Sequence, residues 1–231
     1  MKKALTKAGY QVTRSRPTRN DFLISREIDT IVDVGANIGQ FGKEVRSEGF
    51  RGRIFSFEPI PQVHRILSQN LAHDPQWRSY CVGLSDKRGS ALINVSSKTV
   101  FSSLQPIRSA ALDFDVDAAA VSRQEITLSR LEDFDQEIGG RRVFLKIDTQ
   151  GHEQKVLRGA GEILERLHGI QLELPISALY EETWTIAEAM AWMRSSGFLP
   201  TSFCPVNYHH RDPMAIVEVD CIFRRFNSEI D

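Results

Sequence analysis

Apolar residues along the chain recur with two different periods. Short, largely apolar runs at Ile31 to Val34, Arg53 to Phe57, Trp77 to Val82, Val143 to Ile147 and Ile170 to Leu174 have the length and the β-branched or aromatic content of buried strands. Between them the spacing changes to three and four. Phe41 and Val45 precede a stop at Gly49; Val63, Ile66, Leu67 and Leu71 follow the turn marked by Pro59 and Pro61; Val156, Leu157, Ala160, Ile163, Leu164 and Leu167 line one face of a later helix. Thr185 with Glu188 three residues on is a capping box for a helix whose Ile186, Ala189, Met190 and Met193 face inward. Strands alternating with helices predict an α/β fold, a mostly parallel sheet covered on both faces. Phe198 to Cys204 and Ile216 to Phe223 have only a polar loop between them, so the sheet should end in an antiparallel hairpin. Ala91 to Val95 reads as an extra hairpin strand, and residues 96–117, with weak periodicity, as an insertion or lid beside the site.

The chain has 231 residues, 41% hydrophobic and 26% charged, enough to bury one core, and residues 28–231 are expected to form a single domain. Residues 1–27 form a basic arm, with Lys2, Lys3, Lys7, Arg14, Arg16 and Arg19 before the first acid at Asp21. The whole chain is not basic: 29 Lys and Arg against 30 Asp and Glu argue against a dedicated nucleic-acid binder. Cys81, Cys204 and Cys221 are odd in number and far apart, which suits a reducing cytosol. With no run long enough to span a bilayer and no signal-peptide core, a cytoplasmic location is expected.

The segment Val32-Asp33-Val34-Gly35-Ala36-Asn37-Ile38-Gly39 runs from a strand into a glycine turn and a helix. A P-loop fails twice, because Glu44 follows Gly42-Lys43 and Asn37 replaces the required glycine. A dinucleotide fold needs glycine where Asn37 stands, and Asp33 would face phosphates with no cation in the turn. S-adenosyl-L-methionine reverses that logic, since it has no phosphate and carries a sulfonium and an ammonium. Gly35 and Gly39 let the backbone approach its methionine part, and Glu58, at the end of the second strand, is placed to accept from both ribose hydroxyls.

Together with FEP (57–59), GLSDKRG (83–89), LKIDTQGHEQKVLRGA (145–160) and EVDCIFRR (218–225), the stretch VDVGANIGQFG (32–42) resembles the FkbM family of S-adenosylmethionine-dependent methyltransferases, over roughly residues 28–225. The resemblance implies a class I methyltransferase, Rossmann-like fold with a seven-stranded sheet that includes a reversed strand. It also implies O-methylation of a sugar, a glycan precursor or another hydroxylated natural product. Carried onto the matching positions, it assigns cofactor binding to Asp33, Gly35, Ala36, Asn37, Gly39, Phe41, Glu58, Ser85, Asp86 and Asp148. His152 stands where the family often has a small residue.

Lys146, Asp148, His152 and Glu153 cluster at the C-terminal end of an apolar strand, the edge where open α/β sheets place ligands. Asp148 is expected to face the methyl donor or the acceptor hydroxyl, His152 to act as general base, and Glu173 on the next strand to orient a sugar hydroxyl. The blander alternatives are a helix cap for Asp148, a dipole partner for Glu153, a surface position for His152 and a buried structural hydrogen bond for Glu173. Asp148, His152 and Glu173 also offer ligands to a divalent metal, although no tight spacing supports one. His209 and His210 lie in the loop before the last strand; Trp77, Trp184 and Trp192 are expected in the core or at an interface, with Trp184 placed best of the three to reach a sugar face. The amine-binding (D/N)PP(Y/F/W) tetrapeptide is absent, which argues against nucleic-acid N-methylation. A non-catalytic cofactor-binding protein, a nicotinamide-dependent oxidoreductase and a homo-oligomer all remain open.

Overall fold

The computed structural model describes residues 17–108, 119–209 and 211–226, so most of the basic arm, part of the insertion and His210 lie outside the described residues. Helix α1 (Arg19–Ser25) opens the described chain, and β1 (Thr30–Val34), α2 (Gln40–Ser47), β2 (Arg53–Phe57), α3 (Pro61–Leu71) and β3 (Trp77–Tyr80) follow. Three strands, β4 (Gly83–Leu84), β5 (Gly89–Ser96) and β6 (Ala120–Ser129), form a small sheet in the order β4-β6-β5. The second half holds α4 (Asp135–Ile138), β7 (Val143–Ile147), α5 (Glu153–Arg158), α6 (Ile163–Arg166), β8 (Leu167–Pro175), α7 (Ile186–Ser195), β9 (Phe198–His209) and β10 (Asp212–Arg225).

The main sheet has the order β3-β2-β1-β7-β8-β10-β9, and only β10 runs against its neighbours. All residues of β1 and β7 are buried, as central parallel strands require when both faces are covered. Val32, Val34, Leu145 and Ile147 pack on one side with Val156, Leu157 and Met193, while Ile31, Ile54 and Phe144 pack on the other with Phe22, Phe41 and Val45. The sheet thus carries the ends of β1, β2, β7 and β8 to one edge.

Two elements differ from the periodicity. The apolar spacing from Val156 to Leu167 is not one helix; α5 ends before Gly159 and Leu167 already belongs to β8. A Cβ on Gly159 would lie 2.0 Å from the Ser85 carbonyl oxygen, and Gly161 takes φ +53°, so the chain turns here while the apolar residues on both sides reach the same core. Strand β6 leaves almost no alternation in the sequence, because of its ten residues only Ile126 and Leu128 are buried. Ala91 to Val95 lies in β5 as expected, but it pairs antiparallel with β6 across the insertion.

Gly42 provides a test of the packing beneath β1. A Cβ there would sit 2.1 Å from the Trp77 ring, which is buried and donates from Nε1 to Ser56 Oγ at 3.0 Å. Alanine ordinarily favours a helix over glycine by about 1 kcal/mol. Here Gly42→Ala is expected instead to destabilise by about 1–3 kcal/mol, the usual cost of overpacking. Urea denaturation reads the sign, and a more stable variant would show that α2 does not press on Trp77.

Candidate functional site

The end of β1 and the end of β7 meet backbone to backbone. Asp148 N donates to Val34 O at 3.1 Å, and a Cβ on Gly35, at φ +75°, would lie 1.8 Å from Asp148 O. Only glycine fits that crossing. Two residues on, Asn37 takes φ +48°, a region that asparagine tolerates better than most residues, and its Oδ1 accepts from Ile38 N at 2.9 Å. This orientation aims Asn37 N at Glu58 Oε2, 3.0 Å away, while Glu58 Oε1 accepts from Ile60 N at 2.9 Å. Glu58 is 5% exposed; burial pushes its pKa up to about 7, against the pull of those two N–H groups.

These groups line a cleft that is partly open to solvent. Its apolar wall comes from Ile60, Leu84, Ile93 and Ile126, and residues 99–104 reach over it with Val100 and Leu104. Asn37 Nδ2 donates to Thr99 Oγ1 at 3.0 Å, joining the glycine turn to this covering segment. Among the described residues, the charged side chains lining the cleft are Glu58 and Asp148, both carboxylates.

Asp33 is placed elsewhere. It is fully buried on the face of β1 opposite Val32 and Val34, 3.4 Å from Lys146 Nζ, and accepts from Ser56 Oγ at 3.2 Å. Cross-strand register puts Ser56, Asp33, Lys146 and Gln171 in one polar row across β2, β1, β7 and β8. Lys146 Nζ also reaches Asp148 Oδ2 at 3.4 Å and Gly35 O at 3.3 Å. Burial opposes its charge, but Asp148, Asp33, Glu173 and Asp220 outweigh that and hold its pKa above the ordinary lysine range. Of the other residues assigned to the cofactor, Gly35, Asn37, Glu58 and Asp148 line the cleft, whereas Ala36, Gly39, Phe41, Ser85 and Asp86 do not. Gly39 caps α2, Phe41 lies under Lys146 with its ring centroid 5.6 Å from Nζ, and Gly83 and Leu84 line the cleft where the resemblance implied Ser85 and Asp86.

At the ends of β7 and β8, Asp148 and Glu173 are brought together through a residue the sequence did not single out. Gln150 Nε2 donates to Asp148 Oδ1 at 2.9 Å and to Glu173 Oε2 at 2.7 Å. Burial, then the charges of Asp148, Glu218 and Asp220, raise the Glu173 pKa well above the carboxylate range. His152 does not join them. It is 6% exposed, with Nε2 3.0 Å from Ser85 Oγ and Nδ1 3.4 Å from Gln105 Nε2, and burial lowers its pKa to about 4. It is a neutral buried wall residue rather than a surface one, and both ring nitrogens are engaged. Glu153 Oε1 accepts from Thr149 N, Thr149 Oγ1 and Gly151 N at 3.0–3.1 Å, so it organises the loop that carries Gln150.

Among the described residues no three His, Cys, Asp or Glu side chains are arranged to hold an ion. Trp184 is a core residue, 5% exposed and packed edge-on to Trp192, which takes it away from any sugar face. Trp77 is likewise a core residue, and His209 closes β9. Tyr180, Thr99, Glu218 and Asp220 were also missed; the acids alternating along EVD (218–220) were the available signal for the last two. No helix among the described residues is long and apolar enough to cross a membrane.

A parallel sheet with one reversed strand and a glycine turn facing an acid at the end of β2 defines a class I methyltransferase fold. The chain belongs to the FkbM methyltransferase family, since residues 33–200 match the profile described as Methyltransferase FkbM domain. Over an alignment of 174 residues that covers 62% of this chain and 8% of the relative, the chain is 30% identical to the AMB antimetabolite synthetase AmbE of Pseudomonas aeruginosa. Methyltransferase sdnD of Sordaria araneosa is 28% identical over 157 residues, 57% of this chain and 60% of its own length. The chain therefore spans less than two thirds of either relative. The fold is shared with the crystal structure of methyltransferase FkbM from Methylobacillus flagellatus, at TM-score 0.51 and 15% identity, covering 86% of this chain and 44% of that one.

The Glu58 carboxyl makes stability depend on pH in a definite direction. A pKa raised from 4.5 to about 7 on folding favours the folded state while the group is protonated. That contribution is fully present below about pH 4.5 and is lost as pH rises through about 7. Glu58→Gln stays neutral, so it should remove a slope worth on the order of 3 kcal/mol across that window. Melting curves at pH 4.5 to 8 read this directly; an unaltered slope in a folded variant would mean that Glu58 is solvated.

Proposed function

We propose that this protein is an S-adenosylmethionine-dependent O-methyltransferase acting on a hydroxylated acceptor, a sugar or glycan precursor being the class the sequence resemblance implies. The charge of the cleft carries the cofactor reading. Its charged lining groups among the described residues are Glu58 and Asp148, and the adjacent Lys146 is already engaged by two carboxylates and a carbonyl. The pyrophosphate of a nicotinamide dinucleotide would meet like charge there, whereas a sulfonium and an ammonium meet opposite charge.

When bound, the cofactor supplies an electrophilic methyl group on sulfur, open to in-line displacement by an oxygen. The chain's own residues account for the rest. Glu58 spends one lone pair of each oxygen on a backbone N–H, and a carboxylate has about four such positions, so two remain for a ribose diol. Gly35, where a Cβ would meet the Asp148 carbonyl, and Asn37, at a left-handed φ, bring backbone to the cleft. Asp148, held by Lys146 on one oxygen and Gln150 on the other, is the group to accept the proton of an acceptor hydroxyl. Holding acceptor and donor in line contributes about 7–11 kcal/mol when the geometry is near attack. The carboxylates around Asp148 favour a neutral or cationic surface on the acceptor here, so phosphates of an activated sugar would lie away from this edge.

Calorimetry with S-adenosylmethionine and S-adenosylhomocysteine tests the cofactor, and labelled methyl transfer into a panel of glycans and precursors tests the reaction. Glu58→Ala should weaken cofactor binding by about 1.5–3 kcal/mol, the range for hydrogen bonds to a charged group. Binding of NADH with no response to S-adenosylhomocysteine would sink the proposal, and cofactor binding without transfer would make the chain a non-catalytic binder. With an acceptor found, Asp148→Asn should keep the fold and the S-adenosylhomocysteine affinity but lose about 100-fold or more in turnover. Full activity in that variant would remove Asp148 from the proton-accepting role.

A further inference from the structure

Four hydrogen bonds meet on Gln150. Its Nε2 donates to Asp148 Oδ1 and Glu173 Oε2 at 2.9 and 2.7 Å, its Oε1 accepts from the Tyr180 hydroxyl at 2.8 Å, and its carbonyl accepts from Ser103 Oγ at 2.6 Å. An amide suits this place because it presents a donor to two carboxylates and an acceptor to a phenol at once. The backbone at Gln150 takes φ +56°, a conformation that persists in a non-glycine residue where the surroundings over-determine it.

Two of these partners lead to the segment over the cleft. Ser103 belongs to it and is bridged to Asn94 of β5, with Asn94 N donating to Ser103 O at 2.8 Å and Ser103 N to Asn94 O at 3.0 Å. The Tyr180 hydroxyl lies 3.2 Å from Phe101 O, and the chain around Tyr180 pairs with the far end of the same segment, where Ile107 bridges Tyr180 and Arg108 N donates to Leu179 O at 2.9 Å. Thr99, Val100, Ser102 and Leu104 of that segment line the cleft. The closed segment and the acceptor-side carboxylates are therefore joined through one amide.

We propose that Gln150 is a positioning residue that orients the Asp148 carboxylate, and that Tyr180 and Ser103 make this orientation depend on closure of residues 99–107 over the cofactor cleft. The role given to Asp148 rests on the O-methyltransferase reading. In the closed state, Asp148 is held on Oδ2 by Lys146 and on Oδ1 by Gln150. Opening removes the bonds from Ser103 and the shared Tyr180 contact, and with them the restraint on the left-handed backbone, so the amide leaves the two carboxylates. The charged and titratable groups facing this amide are Lys146 on β7, Asp148 and Glu153 beyond it, Glu173 on β8, Glu218 and Asp220 on β10, and Tyr180 itself.

The test uses the whole chain with S-adenosylhomocysteine as the probe. Lys98 is exposed at the start of the segment, so trypsin cleavage after it, read by mass, reports opening. Calorimetry first establishes that the wild type binds the probe; absence of binding overturns the cofactor reading, and this proposal with it. With the probe bound, Tyr180→Phe and Ser103→Ala should each cleave about tenfold faster than wild type, the scale of one lost hydrogen bond. Ser103→Ala decides the matter if Tyr180→Phe does not fold. Gln150→Glu puts a third carboxylate between Asp148 and Glu173, so its deficit in melting temperature should grow from pH 5 to pH 8, and more steeply than that of Gln150→Met, which only removes the donor. Wild-type protection in folded Tyr180→Phe and Ser103→Ala, or a flat deficit in Gln150→Glu, overturns the proposal alone.

Discussion

The ammonium of Lys146 lies inside the sheet, 3.4 Å from a carboxylate oxygen of Asp33 and of Asp148 and 3.3 Å from the Gly35 carbonyl, and the geometry of the site follows from it. A charge buried among strands is tolerated only when it is paired and hydrogen-bonded, and even then a good pair does little more than offset its own desolvation. What this pair contributes is registry. Asp33 is fully buried and fixed by Ser56, which is fixed in turn by Trp77, so the ammonium can sit in one place only, between the ends of β1 and β7. There the Gly35 turn and the Asp148 backbone touch, and there the cleft begins.

The same arrangement sets the charge of the cleft. Lys146 is consumed internally by the groups around it, so no positive side chain among the described residues faces the ligand space, and Glu58 and Asp148 do. A fold of strands, glycine turns and helices accommodates phosphates in many proteins because helix N-termini carry partial positive charge. Here Glu58 accepts the Asn37 N–H at the start of that turn, which takes a donor that a phosphate would otherwise use and replaces it with a carboxylate. Asp33, expected beside the cofactor, faces Lys146 and Ser56 instead of the cleft. Asp33 acts by neutralising the lysine, and Glu58 and Asp148 present the negative charge.

Elements with a continuous apolar run, a regular apolar face or a local cap were legible, and those with none of these were not. β1 and β7 show as apolar runs because every residue is covered, and the Thr185–Glu188 box marks α7 because the cap is local. β6 escaped because it is the middle strand of a small sheet and buries only two of its side chains, and the break at Gly159 escaped because it is caused by the Ser85 carbonyl, 74 positions away in the chain. The site divided in the same way. Gly35, Asn37, Glu58 and Asp148 sit at strand ends that the pattern locates, so their placement was readable. His152 was read as a base from its spacing to Asp148, yet the burial that lowers its pKa and the Ser85 and Gln105 contacts depend on the small sheet and the covering segment, which no local pattern encodes.

The chemistry of the covering segment differs from that of the sheet beneath it. Thr99, Ser103, Gln105 and Tyr180 join it to Asn37, Gln150 and His152 through hydroxyl and amide groups. Each such bond exchanges with water at a net gain of only about 0.5–1.5 kcal/mol, whereas breaking a buried charge pair costs about 3–5 kcal/mol. A cleft that must admit a molecule and then exclude water needs a cover that opens at a cost of a few kcal/mol over a floor that does not move. Placing the neutral bonds above and the charged ones below meets both demands. Gln150 stands where the two layers meet, donating to the charged layer and accepting from the neutral one.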